Sequence, residues 1–492
     1  MAAEQRDHQN IGDTATTRRK ILAYGGAASL AAVASPLSRR GAAGAQDATP
    51  AVSPEVDAFY TPAAGAFDGK SLTVVINASF FGTDIRKEAL ETLRTQFNEL
   101  TGASVEFLPL PENQMYDQVR LELSTGSGTY DMMHSGAGGA KEYGLSNFLV
   151  PLPAPPDVAD FYEGDVAQYT VGDQLYGMPM IADINILYWR KDLFEEAGLD
   201  PAQPPTTYDQ FREYARMLTV DKSGNRLGED GFDPNNIAVF GTAYKGTAGL
   251  AATWEWYNYL YAFGGDLMDA EYNPILNSPE AVASLGWVVE NFQNQGIYPP
   301  DITTYDYTEF HTLFLQGQMA MAINWPYMWG MAKDPTQSKV MDKVAVGLKP
   351  QQTTHGGNIG GWSWNVFAMS KNQDVAIAFA KWMASPVASL VYAQAGHGNP
   401  VRKSVAEAMT EQDPELYQAI AANQETGRSV GWLATGPSWL EIEKVQYEAI
   451  QRALIGDVDA AGALEDANAK TLEILQENKF YEEIAPQLIG GA

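Results

Sequence analysis

Leu72-Thr73-Val74-Val75-Ile76-Asn77 is a near-continuous run of β-formers without polar alternation, the pattern of a strand buried on both faces. A helix follows from about Ile85, with Ile85, Ala89, Leu93, Phe97 and Leu100 on one stripe, and Gly102 stops it. Val105 to Leu110 reads as a second strand, Met115 to Ser124 as a second helix, and Asp131 to His134 as a third short strand. Strand and helix alternating in this way predict a parallel sheet with helices on its faces. The alternation restarts downstream. Ile184 to Trp189 is a strand, Lys191 to Ala197 a short helix closed by Gly198, and Thr206 with Asp209 a capping box for a helix through Leu218. Ser278-Pro279 caps a helix to about Gln295, Met319 to Asn324 is a strand, and Trp364 to Ser370 is another, followed by a long helix from Asp374. The last 50 residues are helical, with Gly456 between two helices. Two α/β units therefore lie in one chain, and the strand and helix at 364–395 predict that the chain crosses between them more than once.

Composition narrows what these units can do. The chain has 492 residues, of which 45% are hydrophobic and 19% charged, enough for a large core. With 61 Asp and Glu against 32 Lys and Arg, the net charge is −29, and no basic footprint for a phosphate backbone is present, which excludes nucleic acid. There is no cysteine, which excludes disulfides, thiolate metal sites, iron–sulfur clusters and cysteine nucleophiles. The histidines show no metal spacing, and no cofactor is expected.

Residues 1–45 read as an export signal: Arg18-Arg19-Lys20 precedes a run of about 14 weakly apolar residues, too short for a span of roughly 20. Thr17-Arg18-Arg19-Lys20-Ile21-Leu22 resembles the twin-arginine signal, and Ala43-Gly44-Ala45 fits small-x-small cleavage. Without residues 1–45 the chain carries 26 basic and 58 acidic residues, a net of −32, and no later stretch is apolar enough for a transmembrane span. Residues 46–66, rich in Ala, Pro and Thr, are expected to be a mobile leader extending to about Asp68.

Several strings then look familiar. Leu175-Tyr176-Gly177-Met178-Pro179, Leu187-Tyr188-Trp189-Arg190-Lys191-Asp192-Leu193-Phe194, Phe263-Gly264-Gly265, Phe314-Leu315-Gln316-Gly317-Gln318-Met319-Ala320-Met321 and the closing Leu454-Ile455-Gly456 occur in order. Together they resemble family 1 of the extracellular solute-binding proteins, the maltose-binding-protein-like sugar receptors of ABC importers. The resemblance runs from Leu72 to about Gln476. It implies a two-lobed periplasmic-binding-protein fold, type II-like, each lobe a mainly parallel sheet flanked by helices, closing over a ligand like a clamshell. Residues 67–181 and 362–401 would form the N-terminal lobe, and 182–357 and 405–492 the C-terminal lobe. Crossings would fall near Ala182, near Asn358 to Gly361 and near Arg402 to Ser404; glycines suit the second, since hinges absorb φ/ψ change.

A sugar presents apolar C–H faces and a rim of hydroxyls, so its site wants flat aromatics and carboxylate or amide partners. Trp254 and Tyr257 share a helix face, and by position Trp254 resembles a family residue that stacks on sugar. Asn324-Trp325-Pro326-Tyr327 ends a strand and resembles a family motif in which glycine stands at Trp325 and tryptophan at Tyr327, a departure that bears on ligand size. Asp183 stands where the family places a carboxylate on sugar hydroxyls, and Asn185 points to the same face. Ser79, Phe80, His134 and Ser135 follow strands; Trp362 and Trp364 share a strand face, one expected in the cleft and one in the core. Arg402, at the third crossing, completes the candidates.

Three other motifs fail. Gly361-Trp362-Ser363-Trp364-Asn365 lacks the last glycine of a nucleophile elbow. Gly136-Ala137-Gly138-Gly139 has Lys141 where a dinucleotide motif needs glycine. Asp221-Lys222-Ser223-Gly224-Asn225 has Arg226 and Phe232 where a calcium loop needs glycine and an acid. The expected function is capture of a carbohydrate for ABC permease subunits by a monomer exported through the twin-arginine machinery. It would act in the periplasm, outside the cell or at the outer face of the cytoplasmic membrane, and would not be an enzyme. The competing classes are an exported glycosidase using paired carboxylates and a receptor for a polyamine or peptide.

Overall fold

The computed structural model describes residues 53–430, 435–436 and 438–489; the expected export signal lies outside them. The described residues open with helix α1 (Pro54–Tyr60), capped by Ser53, with Tyr60 buried. This corrects the expected mobile leader: from Ser53 the segment is folded, because the Tyr60 hydroxyl donates a hydrogen bond to Asp157 at 2.7 Å and accepts one from the Arg402 guanidinium at 2.7 Å. Strand β1 (Ser71–Asn77) leads into helix α2 (Asp84–Thr101), strand β2 (Ser104–Leu110), helix α3 (Glu112–Thr125), strand β3 (Met132–Gly136) and helix α4 (Ala137–Leu145). Leu72, Val74, Val75 and Ile76 are almost wholly buried, as the unbroken apolar run requires. Thr83 caps α2 through the Arg86 N–H, and Gly102 ends it at φ 77°, a left-handed position where a side chain is strained.

Strand β4 (Met178–Ile184) belongs to the same sheet, and strand β5 (Ile186–Arg190) to another, so the run expected as one strand from Ile184 to Trp189 breaks at Asn185. Helix α5 (Tyr208–Leu218) is capped by Thr207, one residue beyond the expected Thr206, whose N–H instead reaches Gln210 Oε1 at 2.8 Å. Helix α6 (Leu250–Ala262) is buried around most of its circumference, with only Leu250 and Trp254 partly exposed. Strand β6 (Met321–Asn324), helix α7 (Tyr327–Lys333), strand β7 (Val344–Gly347) and strand β8 (Asn358–Val366) follow. β8 starts six residues before the expected Trp364, because its glycine-rich first half pairs with β4 despite weak β propensity. Strand β9 (Asn399–Pro400) and strand β10 (Arg428–Ser429) precede the closing helices α8 (Trp439–Leu454) and α9 (Ala460–Glu477).

The larger sheet has seven strands in the order β9-β4-β8-β3-β1-β2, with β10 beside β8. β1, β2 and β3 are parallel, as helical crossovers demand. β8 runs antiparallel to both β3 and β4. The smaller sheet, β6-β5-β7, is antiparallel throughout. The expectation of a mainly parallel sheet in each lobe therefore holds for β1 to β3 and the short β8–β10 pair, and not for the smaller sheet. Local alternation dictates direction where one helix joins neighbouring strands; β5, β6 and β7 are brought together from distant parts of the chain, and nothing local sets their sense. Among the described residues no single helix is long and apolar enough to cross a membrane.

Candidate functional site

The two sheets meet where β4 hands the chain to β5 and where β8 begins. A cavity of about 470 Å³ lies there, within the range of small-molecule sites. Of the candidate residues, Ser79, Phe80, Asp183, Trp254, Trp325, Tyr327 and Trp362 line it. They arrive from separate elements: the short 3₁₀ turn after β1, the end of β4, the second turn of α6, the link from β6 into the first residue of α7, and the middle of β8.

On one side Phe80 packs edge-on against Trp362, with ring centroids 5.3 Å apart, and stacks on His397 at 5.5 Å. Opposite, Trp254 and Trp325 stand 6.1 Å apart. Glu443, behind the wall, accepts from Thr253 Oγ1 at 2.6 Å. Tyr327 meets His311 Nδ1 at 3.2 Å through its hydroxyl. Gly360 and Gly361 bring the β8 backbone to the cavity wall. A Cβ on Gly361, at φ 154°, would lie 2.7 Å from the Ile181 carbonyl oxygen and 2.8 Å from the Tyr169 hydroxyl.

The polar groups of the cavity are set apart from one another. No hydrogen bond from a described residue reaches the Asp183 carboxyl; burial pushes it up to about 8, and the Arg86 guanidinium only partly opposes that. Arg86 itself rests over the Phe80 ring at 5.3 Å and donates from Nε to His397 Nδ1 at 3.4 Å. The other imidazole nitrogen of His397 lies 2.9 Å from the Arg86 carbonyl oxygen. This fixes the neutral tautomer with the proton on Nε2, in keeping with a pKa held well below normal, chiefly by burial. Glu112, in the first turn of α3, accepts from Asn77 at 3.3 Å and is pushed up to about 7 by burial. His311 is pushed down to about 4, mainly by burial and then by Lys245. The site thus offers aromatic faces, one guanidinium, and carboxyl groups that protonate near neutrality.

Six candidates lie elsewhere. His134 is fully buried, stacked on Trp362 at 4.7 Å with Nε2 3.1 Å from the Met180 sulfur. Ser135 donates to Asn365 Oδ1 at 2.8 Å, and Asn185 is buried at the β4–β5 junction. Tyr257 donates to Gln446 on α8 at 2.5 Å, and Trp364 packs among Phe107, Phe379 and His134. Arg402 is wholly buried, paired with Asp157 at 2.7 Å and Asp160 at 3.2 Å. Five of them are held within the fold through the rings or polar atoms just named, while Asn185 is buried with its Nδ2 left without a partner among the described residues. In the failed calcium loop, Asp221 accepts from the Ser223, Asn225 and Asp233 N–H groups and from the Asn225 amide, which leaves a turn and no cation cage. Sequence reasoning missed Arg86, Glu112, Tyr307 and His311 in the cavity wall. Glu112 in a first helical turn and Arg86 beside a helix N-cap read as ordinary helix residues.

The profile of the family described as "Bacterial extracellular solute-binding protein" matches residues 82–389. The chain belongs to this family. A probable amino-acid ABC transporter periplasmic-binding protein of Sinorhizobium fredii is 27% identical over 61% of this chain and 66% of its own length, just under two thirds. An erythritol/L-threitol-binding protein of Mycolicibacterium smegmatis is 24% identical over 92% of both chains. Among solved structures, an ABC transporter solute-binding protein of Agrobacterium vitis S4 with bound D-mannitol superposes with a TM-score of 0.68 at 25% identity, over 83% of this chain and 99% of that one. Two-lobed architecture and family agree.

Proposed function

We propose that this member of the solute-binding family captures a carbohydrate or polyol between its lobes and delivers it to the permease subunits of an ABC importer, without altering it. One observation carries the reading: the wall of the cavity between the two sheets brings Phe80, Trp362, Trp254 and Trp325 together with the Asp183 carboxyl, which no described residue hydrogen-bonds, and with the charge of Arg86. Rings supply apolar contact to C–H faces, while carboxyl and guanidinium groups exchange hydrogen bonds with hydroxyls. The sugars and polyols named for its relatives support the same class. Residues 67–181 with 362–401, and 182–357 with 405–492, would be the two lobes, turning about the strands at Asn185 and Gly360. Export by the twin-arginine route and action as a monomer outside the cytoplasm belong to the same proposal.

Arg86 and Asp183 are also the pair that a zwitterion would bridge, so a receptor for an amino acid is the second reading. A thermal-shift screen of the protein from residue 46 onward against alditols, monosaccharides, oligosaccharides and amino acids tests both. Binding adds about 2.7 kcal/mol at a ligand concentration of 100 Kd, so the true ligand class should raise the melting temperature by several degrees. Stabilisation by amino acids alone would sink the carbohydrate reading.

A further inference from the structure

Trp325 is held both at its backbone and at its indole. Its backbone carbonyl accepts the Tyr188 hydroxyl at 2.9 Å, and its Nε1–H points to the Tyr307 hydroxyl at 3.4 Å. Pro326 and the start of α7 follow at once, so the backbone has no slack. The far edge of the ring, Cη2 and Cζ3, reaches across to β8: a Cβ built on Gly360 would lie 3.3 and 3.5 Å from those atoms and 3.6 Å from Cζ3 of Trp254. A glycine at 360 is what lets the ring come down onto the strand. Trp325 therefore forms a fixed wall from β6 to β8. A swinging side chain would show fewer anchors.

We propose that Trp325 is the specificity-determining residue of the cavity, closing it between Trp254 and Gly360 so that it takes a single sugar unit or a short linear polyol and rejects oligosaccharides. This rests on the carbohydrate reading above and goes beyond it by fixing ligand length. The mechanism is steric. A longer ligand must occupy space the indole fills, and the ring cannot move aside without giving up the Tyr307 contact and the seat on Gly360.

The test uses calorimetry with four probes, D-mannitol, D-glucose, maltose and maltotriose, on wild type, Trp325→Phe and Trp325→Gly. Wild type should bind at least one of mannitol and glucose more than tenfold tighter than maltotriose. Trp325→Gly should cut that preference at least tenfold by gaining affinity for maltose or maltotriose, with Trp325→Phe between. Trp325→Phe keeps an aromatic ring at the position but withdraws the far edge from Gly360, so it preserves the test if the glycine variant does not fold. Maltotriose bound by wild type as tightly as the small probes, or a preference unchanged in the folded variants, would overturn the assignment to Trp325 alone. Wild type that binds none of the four would overturn this inference, while the carbohydrate reading falls only if amino acids alone stabilise the protein.

Discussion

Asp183 and Gly360 are cross-strand partners: β4 and β8 pair them directly where both strands leave the larger sheet. The carboxyl that faces the cavity is thereby mounted on the crossing itself, beside the residue on which Trp325 rests. A ligand that engages Asp183 touches the strands about which the lobes would turn, and only contacts that differ between open and closed states can drive closure.

Asp183 should make binding pH-dependent. Burial pushes its carboxyl up to about 8, so near pH 7 the ligand-free site holds a proton there. A ligand hydroxyl donating to Asp183 favours the ionised form, so binding should release protons and affinity should rise with pH until about 8. Calorimetry in buffers of different ionisation enthalpy reads the proton count. Asp183→Asn should bind about 10- to 100-fold more weakly at pH 9, the worth of a hydrogen bond to a charged group, about 1.5–3 kcal/mol, and should lose the pH dependence. A wild type with no proton exchange and a flat pH profile would contradict this role.

Trp254 and Trp364 should separate affinity from stability. Trp254 is half-buried at the cavity, while Trp364 is fully buried beneath it. Trp254→Ala should weaken ligand binding by about 5- to 150-fold, or 1–3 kcal/mol of apolar contact, with little change in the ligand-free melting temperature. Trp364→Ala should cost about 3–5 kcal/mol of folding stability. If Trp254→Ala keeps full affinity and melts early, its ring belongs to the core.

These two pairs also show how far the sequence could be read. Helix spacing places Trp254 and Tyr257 on one face, and their rings do lie 5.9 Å apart. Strand alternation places Trp362 and Trp364 on one face, and both rings contact His134. Periodicity reports the face and not the depth: one turn or one residue pair further in, the same face is core. β1 to β3 and their helices were legible because their contacts are local. Arg86 was not, because its partner His397 lies 311 residues away, and no local pattern marks a residue whose role is set by so distant a contact. The antiparallel smaller sheet was hidden for the same reason.

The export assignment rests on Arg18 and Arg19, so Arg18→Lys with Arg19→Lys should leave precursor in the cytoplasm by cell fractionation. Normal export of the double variant would remove the twin-arginine route from the proposal.

Arg402 should be a structural node. Its guanidinium joins Asp157, Asp160, the Tyr60 hydroxyl and the Ala384 carbonyl, and lies 4.0 Å from the Phe161 ring. Breaking a buried pair on one side strands the other charges and costs about 3–5 kcal/mol. Arg402→Met should lower denaturant stability by about that much and expose the chain near Tyr60 to protease. Ligand affinity of the folded fraction should stay within twofold of wild type. A large loss of affinity at unchanged stability would return Arg402 to the binding residues.

Asp165 should set the alkaline limit of the ligand-free protein. It is buried, with Oδ2 unpartnered and Oδ1 receiving a 3.4 Å contact from Gln168. Burial first, and Asp183 second, push its carboxyl up to about 8 from the ordinary carboxylate range. The folded state therefore binds a proton that the unfolded state releases near pH 4. The sign follows from linkage: the stability this group contributes is fully present below the unfolded pKa and is lost as pH rises through about 8. Asp165→Asn mimics the protonated acid and cannot ionise. Wild type and variant should melt at similar temperatures at pH 5, where the difference in stability is small, and the variant should melt higher at pH 9. Asp183 sits beside it and titrates in the same range, so the double variant Asp165→Asn, Asp183→Asn should flatten the curve further than either single change. A wild type as stable at pH 9 as at pH 5, or an Asp165→Asn variant that falls with pH in parallel with it, would show that the carboxyl stays ionised and finds a partner in solution.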